Sequence, residues 1–99
     1  NENNQTDQWL RALRDGNPTV RSHATYSLRK SEDPRAVSAL IEALSDKEQS
    51  VRRNAAKALG YMKCPEAAPA LEALLEDADP YVRSDAAKAI KKIRNSTTG

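Results

Sequence analysis

The stretch Asn17-Pro18-Thr19-Val20-Arg21 decides the fold, because its Val-Arg pair returns as Val51-Arg52 and Val82-Arg83, at a spacing of 31 residues each time. Further columns keep the same offset. The aligned sets are Leu13, Leu44 and Leu75; Ala24, Ala55 and Ala86; Leu28, Leu59 and Ile90; Asp15, Asp46 and Asp77. Self-similarity at one fixed period is the signature of a repeat architecture. We therefore predict a stack of 31-residue repeats in which each repeat buries its apolar face against its neighbours.

Helix start signals fall in the same frame. Asn17-Pro18, Asp33-Pro34 and Asp79-Pro80 each put a good N-cap before a proline at the first helical position, whereas Cys64-Pro65 keeps only the proline. We predict six helices, at residues 7–15, 18–30, 34–45, 49–62, 65–76 and 80–94. Because the linkers are short, sequential helices should be antiparallel neighbours.

The predicted helices are of two types. We call those that begin near residues 18, 49 and 80 the A helices, and those that begin near residues 7, 34 and 65 the B helices. The whole chain, residues 1–99, is expected to be one repeat domain. Its parts are a polar tail at 1–6, a partial repeat at 7–17, full repeats at 18–48 and 49–79, a half repeat at 80–94 and a flexible tail at 95–99.

The runs Asp79-Pro80-Tyr81-Val82-Arg83, Ala55-Ala56-Lys57-Ala58-Leu59-Gly60 and Asp33-Pro34-Arg35-Ala36-Val37-Ser38-Ala39-Leu40-Ile41-Glu42-Ala43-Leu44 closely resemble HEAT-like repeats of the phycobilisome-lyase type. The fold we predict is accordingly an all-α, right-handed α-α superhelix of antiparallel helix pairs. The resemblance also implies that B helices line the concave surface. It further implies a structural ladder in which Asp and Arg six residues apart bond along the stack, made of Asp15, Arg21, Asp46, Arg52, Asp77 and Arg83.

Composition narrows the classes of function. The net charge is only +2 with 30% charged residues of both signs, which gives no strong expectation of nucleic-acid or membrane binding. No apolar run approaches the roughly 18 residues that a membrane span requires. The single cysteine, Cys64, excludes an intramolecular disulfide and suits a reducing compartment, so a cytoplasmic location is predicted.

Candidate catalytic groups are few. His23 is the only histidine and shares a column with Asn54 and Asp85, which indicates a polar surface, and Cys64 occupies a turn column. Some HEAT-like enzymes bind metal through His-Glu pairs, and the sequence has no His-Glu dipeptide. We therefore predict no catalytic residues, no metal and no cofactor. Trp9 falls in an apolar column, where a core or capping role is favoured over a ligand platform.

Charge is separated by helix type. A helices carry most of the basic residues, whereas B helices carry Glu42, Glu66, Glu72 and Glu76. The favoured function is a non-catalytic scaffold, a monomer or a module of a larger chain, that binds a basic or apolar protein or peptide on its B-helix face. The proposed contacts are Arg35, Ser38, Ala39, Glu42, Ser45, Glu66, Ala70, Ala73 and Glu76.

Two other functions stay open. The chain could be a subunit or module of a bilin lyase-type enzyme, as the resemblance implies. It could also bind nucleic acid weakly through the basic A-helix side, where the Arg21, Arg52 and Arg83 column could act as an anion track. The balanced net charge of +2 disfavours nucleic acid as the partner.

Overall fold

The structure is a computed structural model that describes residues 2–98 and the side chains of residues 5–96. Those residues form six α-helices and no strand. The helices are α1 (Glu2–Ala12), α2 (Pro18–Ser27), α3 (Pro34–Ala43), α4 (Gln49–Met62), α5 (Ala68–Ala73) and α6 (Pro80–Thr98). Short 3₁₀ turns extend α2 over Leu28–Lys30 and flank α5 at Pro65–Ala67 and Leu74–Glu76. The predicted all-α class and the α-α solenoid architecture are confirmed.

The predicted caps explain where three helices begin. Side-chain oxygens of Asn17, Asp33 and Asp79 accept the backbone N–H two residues on, at 2.9, 2.9 and 2.8 Å. Each cap satisfies a backbone donor that has no partner inside the helix, and the proline that follows has no N–H to satisfy. Cys64, which lacks a capping oxygen, makes no such bond and is followed by a 3₁₀ turn rather than an α-helix.

The helices pack in two layers, and the Cα atoms span 34 × 31 × 15 Å. The A helices α2, α4 and α6 pack most extensively against each other, and α3 and α5 each pack against the A helix that follows. Leu28, Leu40, Leu59 and Leu71 lie fully buried between the layers. These leucines belong to the repeated columns, so a single core runs through the stack.

One glycine controls how closely two A helices approach. A Cβ placed on Gly60 would lie 2.9 Å from both Cα and Cβ of Ala89, closer than real Cβ atoms come to other atoms. Because Gly60 has no side chain, helix α4 can pack closely against α6 at this position. The residue that follows the helix, Lys63, takes a left-handed conformation with φ 53° and ends it.

Element boundaries differ from the prediction at both ends. Helix α1 begins at Glu2 rather than at residue 7, and α6 continues to Thr98 rather than ending at residue 94. Thr6 is buried and its hydroxyl contacts that of Ser31 at 3.1 Å, which fixes α1 against the turn before α3. Residues 1 and 99 lie outside the described part of the chain.

Candidate functional site

Arginine and aspartate side chains join successive repeats along one edge of the stack. The Arg21 guanidinium binds the Asp46 carboxylate through two bonds of 2.9 and 3.1 Å. Arg52 binds Asp77 in the same way, at 2.8 and 3.1 Å. The residue six positions earlier contributes its backbone: Arg21 donates to the Asp15 carbonyl oxygen at 2.7 Å, and Arg52 to that of Asp46 at 2.8 Å. Each interior arginine thus ties its own repeat to the next one.

These ion pairs are shielded from water. The side chains of Arg21 and Asp46 are 8% and 15% exposed, and those of Arg52 and Asp77 are 16% and 9% exposed. Burial alone would raise the pKa of Asp46, but hydrogen bonds from Arg21 and from the Glu48 amide outweigh it and hold that pKa below its usual value. The pKa of Asp77 is lowered against the same cost of burial. Both carboxylates therefore stay charged and remain structural partners.

The ladder changes at its two ends. Arg83 is exposed and donates only to backbone oxygens, those of Asp77 at 2.6 Å and Ala78 at 3.3 Å. Asp15 is exposed and accepts the Asn17 amide at 2.8 Å. Within the described residues, neither side chain has an ion-pair partner.

A groove of about 750 Å³ opens between the B helices α1 and α3. Its floor includes Leu10, Ala39 and Ala43, which are partly buried. Its rim carries charged and polar side chains: Asp7, Arg11, Arg14, Arg35, Ser38 and Glu42. An apolar floor with a polar rim is the usual form of a recognition site.

The structure brings together four of the nine predicted contact residues. Arg35, Ser38, Ala39 and Glu42 line the groove, whereas Ser45, Glu66, Ala70, Ala73 and Glu76 do not. Those five lie at the end of α3 or on the segment that contains α5, where all but Ala70 are exposed.

Helix α1 and the turn that follows it also bring residues to the groove that were not among the predicted contacts. Arg11 and Arg14 lie on its rim, so this end of the B-helix face carries both basic and acidic side chains. Arg35 is itself paired with Asp33 at 2.7 Å and with Asp7 at 2.8 Å, and these bonds raise its pKa. The two arginines were not predicted as contacts, because the comparison of charge between helix types took into account only the acidic residues of the B helices.

Polar contacts also run between the A helices. The Asn54 amide donates to the Ser22 carbonyl oxygen at 3.3 Å and also contacts the Ser22 hydroxyl. Arg53 forms an ion pair of 2.9 Å with Asp85, and the Asp85 side chain is buried. The Arg53 guanidinium also lies over the Tyr81 ring. In the repeated column of His23, Asn54 and Asp85, His23 on α2 is therefore exposed and Asp85 on α6 is buried.

Arginines of the A helices are largely engaged in this way. Arg21, Arg52 and Arg53 each hold a carboxylate, and Arg29 lies over the Tyr26 ring at 3.8 Å from its centroid. An anion track along the Arg21, Arg52 and Arg83 column would have to displace two protein carboxylates. The geometry favours the structural reading of that column.

Candidate catalytic residues are held in ways that favour structure over reactivity. Cys64 is 5% exposed; burial and the bond from its thiol to the Glu66 carboxylate raise its pKa, so little thiolate forms. His23 packs edge-on against Trp9, with 5.2 Å between ring centroids, and Trp9 also packs against the core. The described residues contain no group of three or more His, Cys, Asp or Glu placed to hold a metal ion. Within residues 2–98, no helix is both long and apolar enough to cross a bilayer.

This geometry defines an α-solenoid in which largely buried Arg-Asp pairs connect successive repeats. The chain belongs to the HEAT repeat family, whose family model matches residues 6–91. The predicted family resemblance is therefore confirmed. No curated protein sequence matches the chain.

The solved structures that are similar to this chain include two that match almost all of it. One is the complex of CpcE and CpcF of phycocyanin lyase from Nostoc sp. PCC7120, with a TM-score of 0.84 and 32% identity over 95% of this chain and 39% of that one. The other is human deoxyhypusine hydroxylase in complex with glycerol, with a TM-score of 0.80 and 26% identity over 91% of this chain and 32% of that one. The chain thus spans less than two fifths of either similar protein.

Proposed function

We propose that this protein is a non-catalytic scaffold that binds a protein segment in the groove between α1 and α3. The observation that supports this most is the groove itself, which gathers four predicted contact residues around an apolar floor. HEAT repeats commonly mediate protein interactions, and the similar phycocyanin lyase structure is a complex of two different chains.

The chemistry of the groove indicates what the segment should carry. Leu10, Ala39 and Ala43 offer a shallow apolar floor that suits small or aliphatic side chains. Arg11 and Glu42 are exposed on the rim, and they would attract charges of opposite sign in the segment. A partner with one acidic and one basic residue beside an aliphatic residue fits this arrangement better than a purely basic one.

A peptide library displayed on phage and selected against the protein tests the proposal. Selected peptides should shift the backbone amide NMR signals of α1 and α3. The charge reversal Glu42→Arg should weaken the bound peptides about tenfold or more, because it places a like charge against their basic residue. Glu76→Arg is the matched control, since it makes the same change outside the groove.

Amide shifts confined to the A helices would contradict the proposal. So would a Glu76→Arg variant that loses as much affinity as Glu42→Arg, because the site would then extend along α5 and not be the groove.

A second function is supported by the likeness to phycocyanin lyase, at 32% identity over 95% of this chain. In this reading the chain is a module of a bilin lyase-type enzyme. Mixing the protein with a bilin should then shift the absorbance spectrum of the pigment, whereas the scaffold function predicts an unchanged spectrum. The two readings are separable because peptide binding in the groove requires no pigment.

A further inference from the structure

The A helices meet along two successive clefts, and the cleft between α4 and α6 is filled by side chains. Arg53 of α4 forms an ion pair with Asp85 of α6 and lies over the Tyr81 ring, at 5.0 Å from its centroid. Gly60 lets the same two helices approach closely further along. Because the repeats align, this filled cleft shows what the other cleft would look like if its residues were the same.

Smaller residues occupy the same columns in the cleft between α2 and α4. The residues 31 positions before the ion pair and the tyrosine ring are Ser22, Asn54 and Ser50. These three residues cannot fill the space, and a cavity of about 420 Å³ opens there, which Tyr26 and Lys57 also line. We call this cavity the A-helix cleft.

Hydrogen-bonding groups form the floor of the A-helix cleft. The Asn54 amide donates to the Ser22 carbonyl oxygen at 3.3 Å, and the Ser22 hydroxyl donates to the Ser50 carbonyl oxygen at 3.4 Å. Within the described residues, the Ser50 hydroxyl and the side-chain oxygen of Asn54 have no partner. Both can therefore bond to the backbone of a bound segment.

An arginine beside the A-helix cleft lies over two exposed tyrosine rings. Arg29 stands one repeat before Gly60, where the column has no room for a side chain between helices. Its guanidinium lies 3.8 Å from the centroid of the Tyr26 ring and 5.4 Å from that of the Tyr61 ring. The two rings are 44% and 55% exposed, so they offer contact area to a partner. Tyrosine and arginine are the residue types that most often dominate binding at protein interfaces.

The charge of the A-helix cleft is positive. Lys57 is exposed and forms no ion pair with any described residue. Arg29 donates to the Tyr26 carbonyl oxygen at 2.9 Å and likewise holds no carboxylate in the described part of the chain. None of the described residues that line the cleft is acidic. A partner with a carboxylate would therefore complement both cations.

A protein segment fits this surface better than nucleic acid does. Single-stranded nucleic acid binds by stacking its bases on open aromatic rings along a basic track. Here Arg29 covers one face of the Tyr26 ring, and the neighbouring Arg53 is bound to a carboxylate. The free hydroxyl and amide groups suit a peptide backbone, which offers both donors and acceptors.

We propose that the A-helix cleft binds an acidic segment of another protein, with a carboxylate of the segment held by Lys57 and Arg29. The backbone of the segment bonds to Ser50 and Asn54, and its side chains pack on Tyr26. This surface belongs to the A-helix layer and does not rest on the groove between α1 and α3.

Titration of the protein with hexaglutamate at low salt, followed by amide NMR signals, tests the proposal. Signals on the facing sides of α2 and α4 should shift at peptide concentrations up to about 1 mM, and the neutral peptide hexaglutamine should shift none. Lys57→Glu should weaken hexaglutamate binding about tenfold. Lys88→Glu is the matched control, because Lys88 is the exposed residue of the same column beside the filled cleft, and its affinity should stay that of the parent.

Closing the A-helix cleft without a change in net charge is the decisive arm. Ser22→Arg combined with Asn54→Asp copies the ion pair that fills the cleft between α4 and α6. This double variant should keep its helical circular dichroism and lose hexaglutamate binding. Retained binding in a folded double variant would overturn the proposal.

Three further outcomes would also overturn it. One is the absence of amide shifts at about 1 mM hexaglutamate. Another is an equal loss of affinity in Lys57→Glu and Lys88→Glu, because the peptide would then be attracted to the basic helices as a whole. The third is tighter binding of hexathymidylate, which carries a similar charge, with a loss in Lys57→Glu; the A-helix cleft would then be a nucleic-acid site.

Discussion

Removing Arg52 is the sharpest test of the ladder. In Arg52→Ala, the Asp77 carboxylate loses two charged hydrogen bonds and the Asp46 carbonyl oxygen loses one. Asp77 keeps the Asp79 amide at 2.9 Å, so its charge is not left entirely without a partner. An exposed ion pair contributes about 0–1 kcal/mol, and breaking a buried pair costs about 3–5 kcal/mol. Because both side chains are mostly but not fully buried, we expect a loss of roughly 1–3 kcal/mol.

Urea denaturation followed by circular dichroism measures this loss, and a change of about 2 kcal/mol corresponds to a fall in melting temperature of roughly 10 °C for a domain of this size. The control is Lys57→Ala, an exposed position on the same helix, which should be neutral. Arg53→Ala would not be a silent control, because Arg53 holds the buried Asp85.

If Arg52→Ala is as stable as the parent protein but no longer binds an anionic ligand, the arginine column is an anion-binding track and the argument that Arg52 stabilises the stack is wrong. A double-mutant cycle with Asp77→Ala adds a second check, since the two substitutions should be strongly non-additive if they break the same bonds.

The same structure makes two further predictions. Gly60→Ala should destabilise the protein by about 1–2 kcal/mol in urea denaturation, because the added Cβ collides with Ala89 and the overpacking outweighs the gain in helix propensity. Gly16→Ala, with nothing within 4 Å of the added atom, is its control and should be near neutral. Acidification should lower the free energy of unfolding below about pH 4. The folded protein lowers the pKa values of Asp46 and Asp77, so their ionised carboxylates stabilise the fold above the unfolded-state pKa. This stabilisation is lost as the pH falls through the folded-state pKa values and the two carboxylates become protonated. An unfolding free energy that is flat between about pH 5 and pH 2 would contradict this.

Most of the fold could be predicted from the sequence, because one offset of 31 residues aligns caps, apolar columns and the Asp and Arg columns together. Helix α5 shows where such prediction stops. The segment from Pro65 to Glu76 matches a B helix in its apolar spacing, yet it folds as a short helix between two 3₁₀ turns. Pro69 lies inside it and lacks an N–H donor, and no cap is present at Cys64. Local backbone chemistry therefore overrides the periodic pattern.

Partners within the ladder were harder to predict. A separation of six connects Arg52 to Asp46 in the sequence, and the structure joins them through the Asp46 carbonyl oxygen. The carboxylate partner, Asp77, lies 25 residues away in the next repeat. Periodicity identifies which residues share a column but not which columns meet when the repeats stack. The buried pair of Arg53 and Asp85 escaped prediction for the same reason.

The ladder also determines what the groove presents to a partner. Asp46 lines the groove, but its carboxylate is taken up by Arg21 and the Glu48 amide. Its charge is therefore balanced by that of Arg21, and Glu42 provides the exposed negative charge on the α3 side of the rim. Substitution of Arg21 would free the Asp46 carboxylate and change the groove without touching a residue that lines it. If the groove binds a peptide as we propose, stacking and recognition are coupled through Asp46, so a variant of the ladder should be tested for peptide binding as well as for stability.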